Sequence, residues 1–564
     1  MKRAVNLAAL VLAIGLLVTQ TATVSGDDLK PVELTVLYQS TSWDPIRNEC
    51  GRTLTRTWEE LGITVKAEEL DYVALSTRIM KEPLDSFSAW IFGLVARPEY
   101  LDPDIHLSQR FDSANVGVDG TNFSGFSSAY LDGLIRAQRV EMDRDKRRSE
   151  VWAAQDYATQ EVPMQPLYHV QNAQAHSVGR FDGWTSMIGY GVYNVWNLLN
   201  LTPLTADSTV RFAQVTDIGV SNPLNYNNGL TPDLMRLVYD TLARINTDGV
   251  PVRSAAQSWE TVSDTEILVH LRPGMRFHDG NPVTARDVAF SYNYFNQWKI
   301  PEFYTVAKQV QGVEVIDDLT LKMTLVQPYP AVYQTVFAQI YILPQHIWDG
   351  MVEREKLASP LDWSCPNPVG SGPFKWGYWR TGQEVYLEAN TDYYWPPKVN
   401  FRFMIFKNPE AVFMAVMGGE ADFHERRLLP EQIAEARKNA KVEVTIAADF
   451  GVYYFGWNTR VLPGRDSLFR KAIAYAVDYD FIVNVVLKGY AYKGASFIAP
   501  ANKYWSNPFI RLPELNLDTA RSLLAAAGYQ WNSRGQLCYP SEWELREYRF
   551  GDAPQWPGQP SAQE

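Results

Sequence analysis

Cysteine is nearly missing: 564 residues carry three, Cys50, Cys365 and Cys538. That is too few for a disulfide scaffold, and no CxxC spacing marks a zinc site. The seven histidines include no HExxH pair or other closely spaced ligand set, so no metal and no cofactor is expected. Also missing are a GxSxG elbow, a P-loop and any pair of carboxylates that stands out for acid–base work. Basic charge is short as well. Fifty-two Lys and Arg face 64 Asp and Glu, a net charge of −12 at pH 7, and the cations are scattered rather than gathered in a stripe, which argues against nucleic acid as a partner. No repeat with a period of roughly 20 to 50 residues is visible, which sets solenoids and propellers aside.

What is present is a large globular chain. At roughly 100 to 200 residues per domain the length implies about three to five domains or fewer, larger lobes. Apolar residues make up 46%, enough for a sizeable core, and the 13% of aromatics suffice for stacking walls in a ligand cleft as well. Met1, Lys2 and Arg3 precede an apolar run from Val5 to Val18, followed by small and polar residues through Gly26. This is the pattern of a secretory signal peptide, too short for the roughly 20 residues of a spanning helix. Cleavage near Gly26 leaves 50 of the 52 basic residues against 64 acidic ones. No Cys follows the apolar run to accept a lipid, so the expectation is a freely diffusing periplasmic monomer.

Helix and strand signals are interspersed, which argues for an α/β architecture. Apolar positions from Phe469 to Val486 recur every three or four residues over 468–487 until Gly489, reading as one helix. Asp518 to Ala527 reads as a helix with an aspartate cap and Gly528 as its stop. Arg52 to Glu60 is amphipathic, Ile63 to Ala67 alternates as a strand, and Glu266 to Leu271 does the same before the Pro273–Gly274 turn. The polar stretch Asn200 to Ser208 is the best linker.

From Val210 onward an ordered series of segments carries a resemblance. It opens with Leu237-Val-Tyr-Asp-Thr-Leu242, Asn246-Thr-Asp-Gly249 and Ala255-Ala-Gln-Ser-Trp259. Leu271-Arg-Pro-Gly-Met-Arg-Phe-His-Asp-Gly280 and Pro282-Val-Thr-Ala-Arg-Asp-Val-Ala-Phe-Ser291 are the most recognisable. Val369-Gly-Ser-Gly-Pro-Phe374, Asn390-Thr-Asp-Tyr-Tyr-Trp395, Gly419-Glu-Ala-Asp422, Trp457-Asn-Thr459 and Phe469-Arg-Lys-Ala-Ile473 follow. The series resembles the family 5 extracellular solute-binding proteins, the dipeptide, oligopeptide and nickel-complex receptors of ABC importers. It reaches Ala525-Ala-Ala-Gly-Tyr529 and Gly535-Gln-Leu537, where family members continue and this chain ends. The family's C-terminal part resembles the front of the chain instead: Glu33-Leu-Thr-Val-Leu37, Leu61-Gly-Ile-Thr-Val65, Ala89 to Gly93, Leu101-Asp-Pro103, Tyr130-Leu-Asp-Gly-Leu-Ile135, Asp143 to Arg148 and Pro163-Met-Gln-Pro-Leu-Tyr168.

The order implies a circular permutation, with the old ends joined through Asn200 to Ser208 and new ends opened near Gln536 and Pro31. Such changes are tolerated where old termini lie close together and new ones fall in exposed loops. A fusion of two partial receptors is the rival, although the two pieces are complementary and duplicate nothing. The resemblance implies a two-lobed periplasmic binding protein, a clamshell of α/β lobes with mixed β-sheets in permuted order. After the signal peptide (1–26), 33–162 begins the second lobe, 163–204 holds a hinge crossing and the closing part of the large lobe, and 205–449 forms the large lobe. A second hinge crossing (450–459), the rest of the second lobe (460–540) and a tail (541–564) follow. Cys50 and Cys538 then flank the new break, either bridged or as two free buried thiols.

Family resemblance further implies a small-molecule ligand trapped between the lobes and a membrane permease that reads the closed form. Where peptide-binding members place an aspartate for the peptide ammonium, this chain aligns Arg97, with two extra residues before Asp102. A guanidinium there favours an organic or aromatic anion over a free-amine peptide. Two alternatives stand beside it: Glu99 takes the aspartate's place, which keeps an oligopeptide as ligand, or Arg97 pairs with Glu99 or Asp102 in a solvated loop. Other positions matching cleft segments are Tyr100, Tyr226, Asn227, Asn228, Phe423, His424, Arg426, Trp457, Phe497 and Trp505, for each of which core packing or a surface position is the competing reading. Two further classes remain open: a ligand-dependent docking or sensor protein of the periplasm, and an exported carbohydrate-active enzyme.

Overall fold

A computed structural model describes residues 29–81, 83–94, 98–118, 120–225, 230–301, 303–424 and 427–541. Its framework is a twelve-stranded mixed sheet. The chain enters it through β1 (Glu33–Gln39), β2 (Thr64–Leu70) and β3 (Ala89–Leu94), with β1 parallel to both others. These strands are linked by helices α1 (Pro45–Glu59) and α2 (Tyr72–Met80). Alternation along β1 fixes two faces: Leu34, Val36 and Tyr38 enter one core and Leu37 the other, the period of two expected of a strand buried on both sides. The helix expected from Arg52 begins two turns earlier, because Asp44 accepts a hydrogen bond from the Arg47 N–H at 2.9 Å and Pro45 occupies the first helical position, where its missing N–H costs nothing.

The rest of the sheet is built from β4 (Met164–Ser177), β5 (Thr209–Gln214), β6 (Phe374–Arg380), β7 (Glu384–Ala389), β8 (Asn400–Ile405), β9 (Phe423–His424), β10 (Val442–Ala448), β11 (Val452–Trp457) and β12 (Ala491–Lys493). The order runs β6-β7-β8-β5-β9-β4-β11-β3-β1-β2, with β10 and β12 also on β4. A separate four-stranded antiparallel sheet holds 256–263, Glu266–Leu271, 310–315 and 320–325, and its second strand has the bounds expected from the alternation.

Two lobes follow from the cores. One core gathers side chains from 181–423, among them Phe212, Tyr239, Phe295 and Trp348. The other lobe packs against both faces of the β1–β3 end of the sheet. On one face Val32, Leu54 and Trp58 meet Phe469, Ile473, Leu524 and Tyr539; on the other Phe92, Phe111, Leu131 and Val151 meet Phe497, Ile498 and Trp505. The front of the chain and residues 452–539 therefore share both cores. Polar bonds cross the same boundary: Arg470 Nε donates to the Glu161 carbonyl at 2.8 Å, and Thr57 Oγ1 to that of Ala476 at 2.8 Å. The first and last described segments meet in a seam, where Val32 N–H donates to Leu537 at 2.7 Å, Tyr539 N–H to Lys30 at 2.9 Å, and Pro31 bridges Cys538 antiparallel.

Between the lobes run two neighbouring strands. β4 is continuous for 14 residues; Met164 to Tyr168 pair with β11 and Gln171 to Ser177 with β10. β10 and β11 thus form one path antiparallel to β4, interrupted at 449–451.

The expected single helix over 468–487 is broken. An α-helix covers Ser467–Ile473, a 3-10 turn Ala474–Ala476, and a π-helical turn Phe481–Val486 follows an extended Val477. Periodicity survives the break because Ile473, Ala476, Val477, Ile482 and Val483 all stay in one core, while Asp478 restarts the chain by accepting from Phe481 N–H at 2.9 Å. The helix expected from Asp518 spans Leu517–Ala526 and is capped by Asn516 instead. All three cysteines are buried and none is in a disulfide, so of the two alternatives for Cys50 and Cys538 the bridge is not formed. Burial raises the Cys50 thiol and pushes that of Cys365 up to about 12, which keeps both protonated and unreactive. No helix among the described residues is long and apolar enough to cross a membrane.

Candidate functional site

The two-stranded crossing carries a cluster of rings and charges. Tyr168 on β4 and Tyr453 on β11 are register partners whose rings stack at 4.8 Å with 6° between planes. Gly93 on β3 faces them: a Cβ there would lie 2.5 Å from the Tyr453 ring and 3.4 Å from Arg47 Nη1, so only glycine admits both groups over the strand. Arg47 comes from the first turn of α1, its Nε 2.7 Å from Asp44 and its guanidinium 5.3 Å from the Tyr453 ring centre. From the other lobe, Arg427 sits 4.9 Å from the same ring and donates to the Tyr453 hydroxyl. Guanidinium over a tyrosine face is a favourable cation–π arrangement.

Charge in this cluster is held by local partners. Burial works against ionised Asp44, but the Arg47 charge and N–H outweigh it and hold the carboxyl below its ordinary value. Arg427 is likewise opposed by burial, and Tyr453 with Asp449 keeps it above the ordinary arginine range. Asp449, where the β10–β11 path is interrupted, accepts from Gly451 N–H at 2.5 Å. Burial dominates there over the field of Arg427 and pushes the carboxyl up to about 6. His169, fully buried on β4, has its two ring nitrogens 2.9 Å from the carbonyls of Gly451 and Ser496; burial lowers its pKa against those contacts.

A chamber of about 160 Å³ opens between the lobes. Its walls include Tyr100, Asp104 and Arg139 on one side and Arg236, Lys308 and Tyr329 on the other. α3 (Pro103–Phe111) positions Asp104, which accepts from Ser108, Gln138 and Arg139 at 2.5, 2.6 and 3.2 Å and from the Tyr329 hydroxyl across the gap at 3.4 Å. Asp102 caps that helix and takes a bidentate contact from Arg147 at 2.6 and 2.9 Å. It is thereby committed within its own lobe. Leu101 reaches across to Met187, Ile245 and Ala338, against the turn at Gly249, whose φ of +82° and 2.6 Å Cβ approach to Leu101 require glycine.

The residues singled out from the sequence separate into three groups. Arg97, Tyr226, Asn227, Asn228 and Arg426 lie outside the described residues, and Glu99 lies in a 3-10 turn, Pro98–Leu101, with its side chain outside them. Tyr100 lines the polar chamber. Phe423, Trp457, Phe497 and Trp505 are core residues: Phe423 packs in the large lobe, Trp457 on one face of the other lobe, and Phe497 with Trp505 on the opposite face. His424 is buried on β9, its Nε2 accepting from Ala175 N–H at 3.3 Å. These rings are not brought together around one chamber. The sequence reading missed Arg47, Arg427, Tyr168 and Tyr453. A signal existed for two of them: Asp44-Pro45 announces a helix start facing the sheet end, and Arg427 directly follows a segment already matched to the cleft.

Among the described residues no group of His, Cys, Asp and Glu is placed to hold a metal ion. The arrangement offers guanidinium and phenol donors at a junction of two lobes, suited to holding a ligand by hydrogen bonds and charge.

Comparison with known proteins returns one family model, bacterial extracellular solute-binding proteins, family 5 (middle), matching residues 250–553. The oligopeptide-binding protein AppA of Bacillus subtilis is 27% identical over 316 residues, 55% of this chain and 57% of its own. OppA of the same organism is 26% identical over 304 residues, 49% and 54% of the two chains. The chain spans little more than half the length of these relatives. Among solved structures, NikZ from Campylobacter jejuni in complex with Ni(L-His) is similar with a TM-score of 0.49 at 21% identity, over 60% of this chain and 66% of that one.

Proposed function

The chain belongs to the bacterial extracellular solute-binding proteins of family 5, and from that premise we propose that it captures a small solute between its two lobes in the periplasm and delivers it to an ABC importer. The observation that carries this reading is the junction itself: two adjacent strands, β4 and the β10–β11 path, join lobes that touch through Leu101 and Tyr329 and leave a polar chamber between them. A solute bound to both lobes makes all its contacts only when they close, so it shifts the population toward the closed form. No covalent step is needed.

We further propose that the chain is a circular permutant of the family order. The seam at Pro31 and Cys538 and the shared cores of 32–170 and 452–539 support this, since they bring the new ends together in one lobe. The ligand is an organic or aromatic anion rather than a free-amine peptide. Support comes from Arg97 in the sequence and from the commitment of Asp102 to Arg147, which engages that aspartate within its own lobe rather than with a ligand ammonium.

The test is a thermal-shift screen of organic acids, peptides and sugars combined with solution scattering. A true ligand raises the melting temperature, because it binds only the folded state, and reduces the radius of gyration. A compound that is turned over, or a complete absence of any shift across all three classes, refutes the proposal.

A further inference from the structure

Arg47 and Arg427 belong to different lobes yet converge on one ring. Their guanidinium carbons lie 5.3 and 4.9 Å from the centre of Tyr453, on the strand that joins the lobes. Two like charges gathered at one ring repel each other, and the local acids answer this only in part. Asp44 engages Arg47 through Nε alone. Asp449 accepts from Gly451 N–H and, among the described residues, makes no hydrogen bond to Arg427.

Donors are therefore left over. Among the described residues Arg427 makes one hydrogen bond, to the Tyr453 hydroxyl, leaving Nε and Nη1 unused; Arg47 leaves both terminal nitrogens unused. Neither group is sealed away: the Arg47 side chain keeps 14% exposure, and Arg427 is half-buried. Their unused nitrogens are not among the fully buried atoms without a partner. Paired guanidinium forks in a partly desolvated site are built for planar oxyanions, which they hold by charge-assisted, bidentate hydrogen bonds.

We infer that Arg47 and Arg427 jointly clamp the carboxylate, or an equivalent oxyanion, of the captured solute, one fork from each lobe, with the Tyr453 hydroxyl between them. This rests on the proposed capture between lobes and deepens it: the ligand's acid group, not its apolar part, couples binding to closure.

The experiment titrates the full-length mature protein with phthalate, benzoate and inorganic phosphate, and with neutral benzamide as a matched ring, by calorimetry and thermal shift. At least one oxyanion binds and benzamide does not. Arg427→Gln and Arg47→Gln each weaken that binding by about 10- to 100-fold, the cost of losing charge-assisted hydrogen bonds, whereas Arg286→Gln on an exposed helix face leaves it unchanged. Arg427→Gln alone carries the test if Arg47→Gln, which breaks the Asp44 pair, does not fold. Failure of every oxyanion at millimolar concentration, or equal binding by wild type and Arg427→Gln, overturns the clamp. Peptides and sugars are titrated in parallel. If one of them binds both proteins equally and closes the lobes in scattering, the clamp falls while capture stands; if nothing of any class binds, both fall.

Discussion

The two lobes are made differently. The large lobe draws its main core from a nearly continuous stretch, Phe181 to Phe423, whereas the other brings together 32–170 and 452–539. In the first, most contacts form within one run of chain. In the second, the front must wait for partners more than three hundred residues away, as in the bond from Thr57 to Ala476. Closing such a loop costs entropy that local contacts do not. The lesson is that equal burial can rest on unequal order of assembly, and that the composite lobe depends on contacts between its two pieces.

Three measurements break or sharpen this contrast. The largest effect is expected from Trp58→Ala. Trp58 is fully buried from the front piece, and its ring stacks on Trp457 of the rear piece at 5.3 Å. Truncation should destabilise the composite lobe by about 3–5 kcal/mol. Denaturant unfolding followed by hydrogen exchange should then show that lobe opening at lower denaturant, with protection retained around Phe212 and Phe295. Equal loss of protection in both lobes would erase the distinction.

A smaller effect is expected at the junction, with a defined dependence on pH. Asp449 has its pKa raised to about 6 by burial, so the folded protein binds its proton more tightly than the unfolded chain does. That stabilisation is fully present below the ordinary carboxyl pKa and is lost as pH rises through about 6. Asp449→Asn should therefore flatten the stability profile between about pH 4 and 6 and raise stability at pH 7 by roughly 1–3 kcal/mol. Melting curves across that range check it; an unchanged slope would show that Asp449 titrates normally.

The smallest effect should come from rewiring. Joining Pro540 to Lys30 by a short linker and opening the chain between Leu204 and Asp207, an exposed stretch, moves the discontinuity without removing a core contact. Stability within about 1 kcal/mol of the parent and unchanged ligand binding are expected, as for other permutations at exposed sites. A chain that no longer folds would show that the present order is itself required.

Legibility in the sequence followed the strength of local rules. Glu266–Leu271 was read with its observed bounds because strict alternation leaves one solution. The break after Ile473 was invisible because the residues beyond it return to the same core. Family membership came from an ordered set of segments, now matched by the family model. Site residues were harder. Aromatic content does not distinguish a core ring such as Trp457 from a cleft wall. Arg47 looks like any helix arginine until Gly93 and Tyr453 are seen beneath it, a three-dimensional coincidence of segments some four hundred residues apart.

The seam between Lys30 and Tyr539 has a mechanical meaning. Pro31 and Cys538 lie antiparallel, so Lys30 and Tyr539 stand at the same end of this short zipper. Force pulling those two residues apart would open it one bond at a time before any load reached the strands that join the lobes. Such a load would be borne by the composite lobe alone.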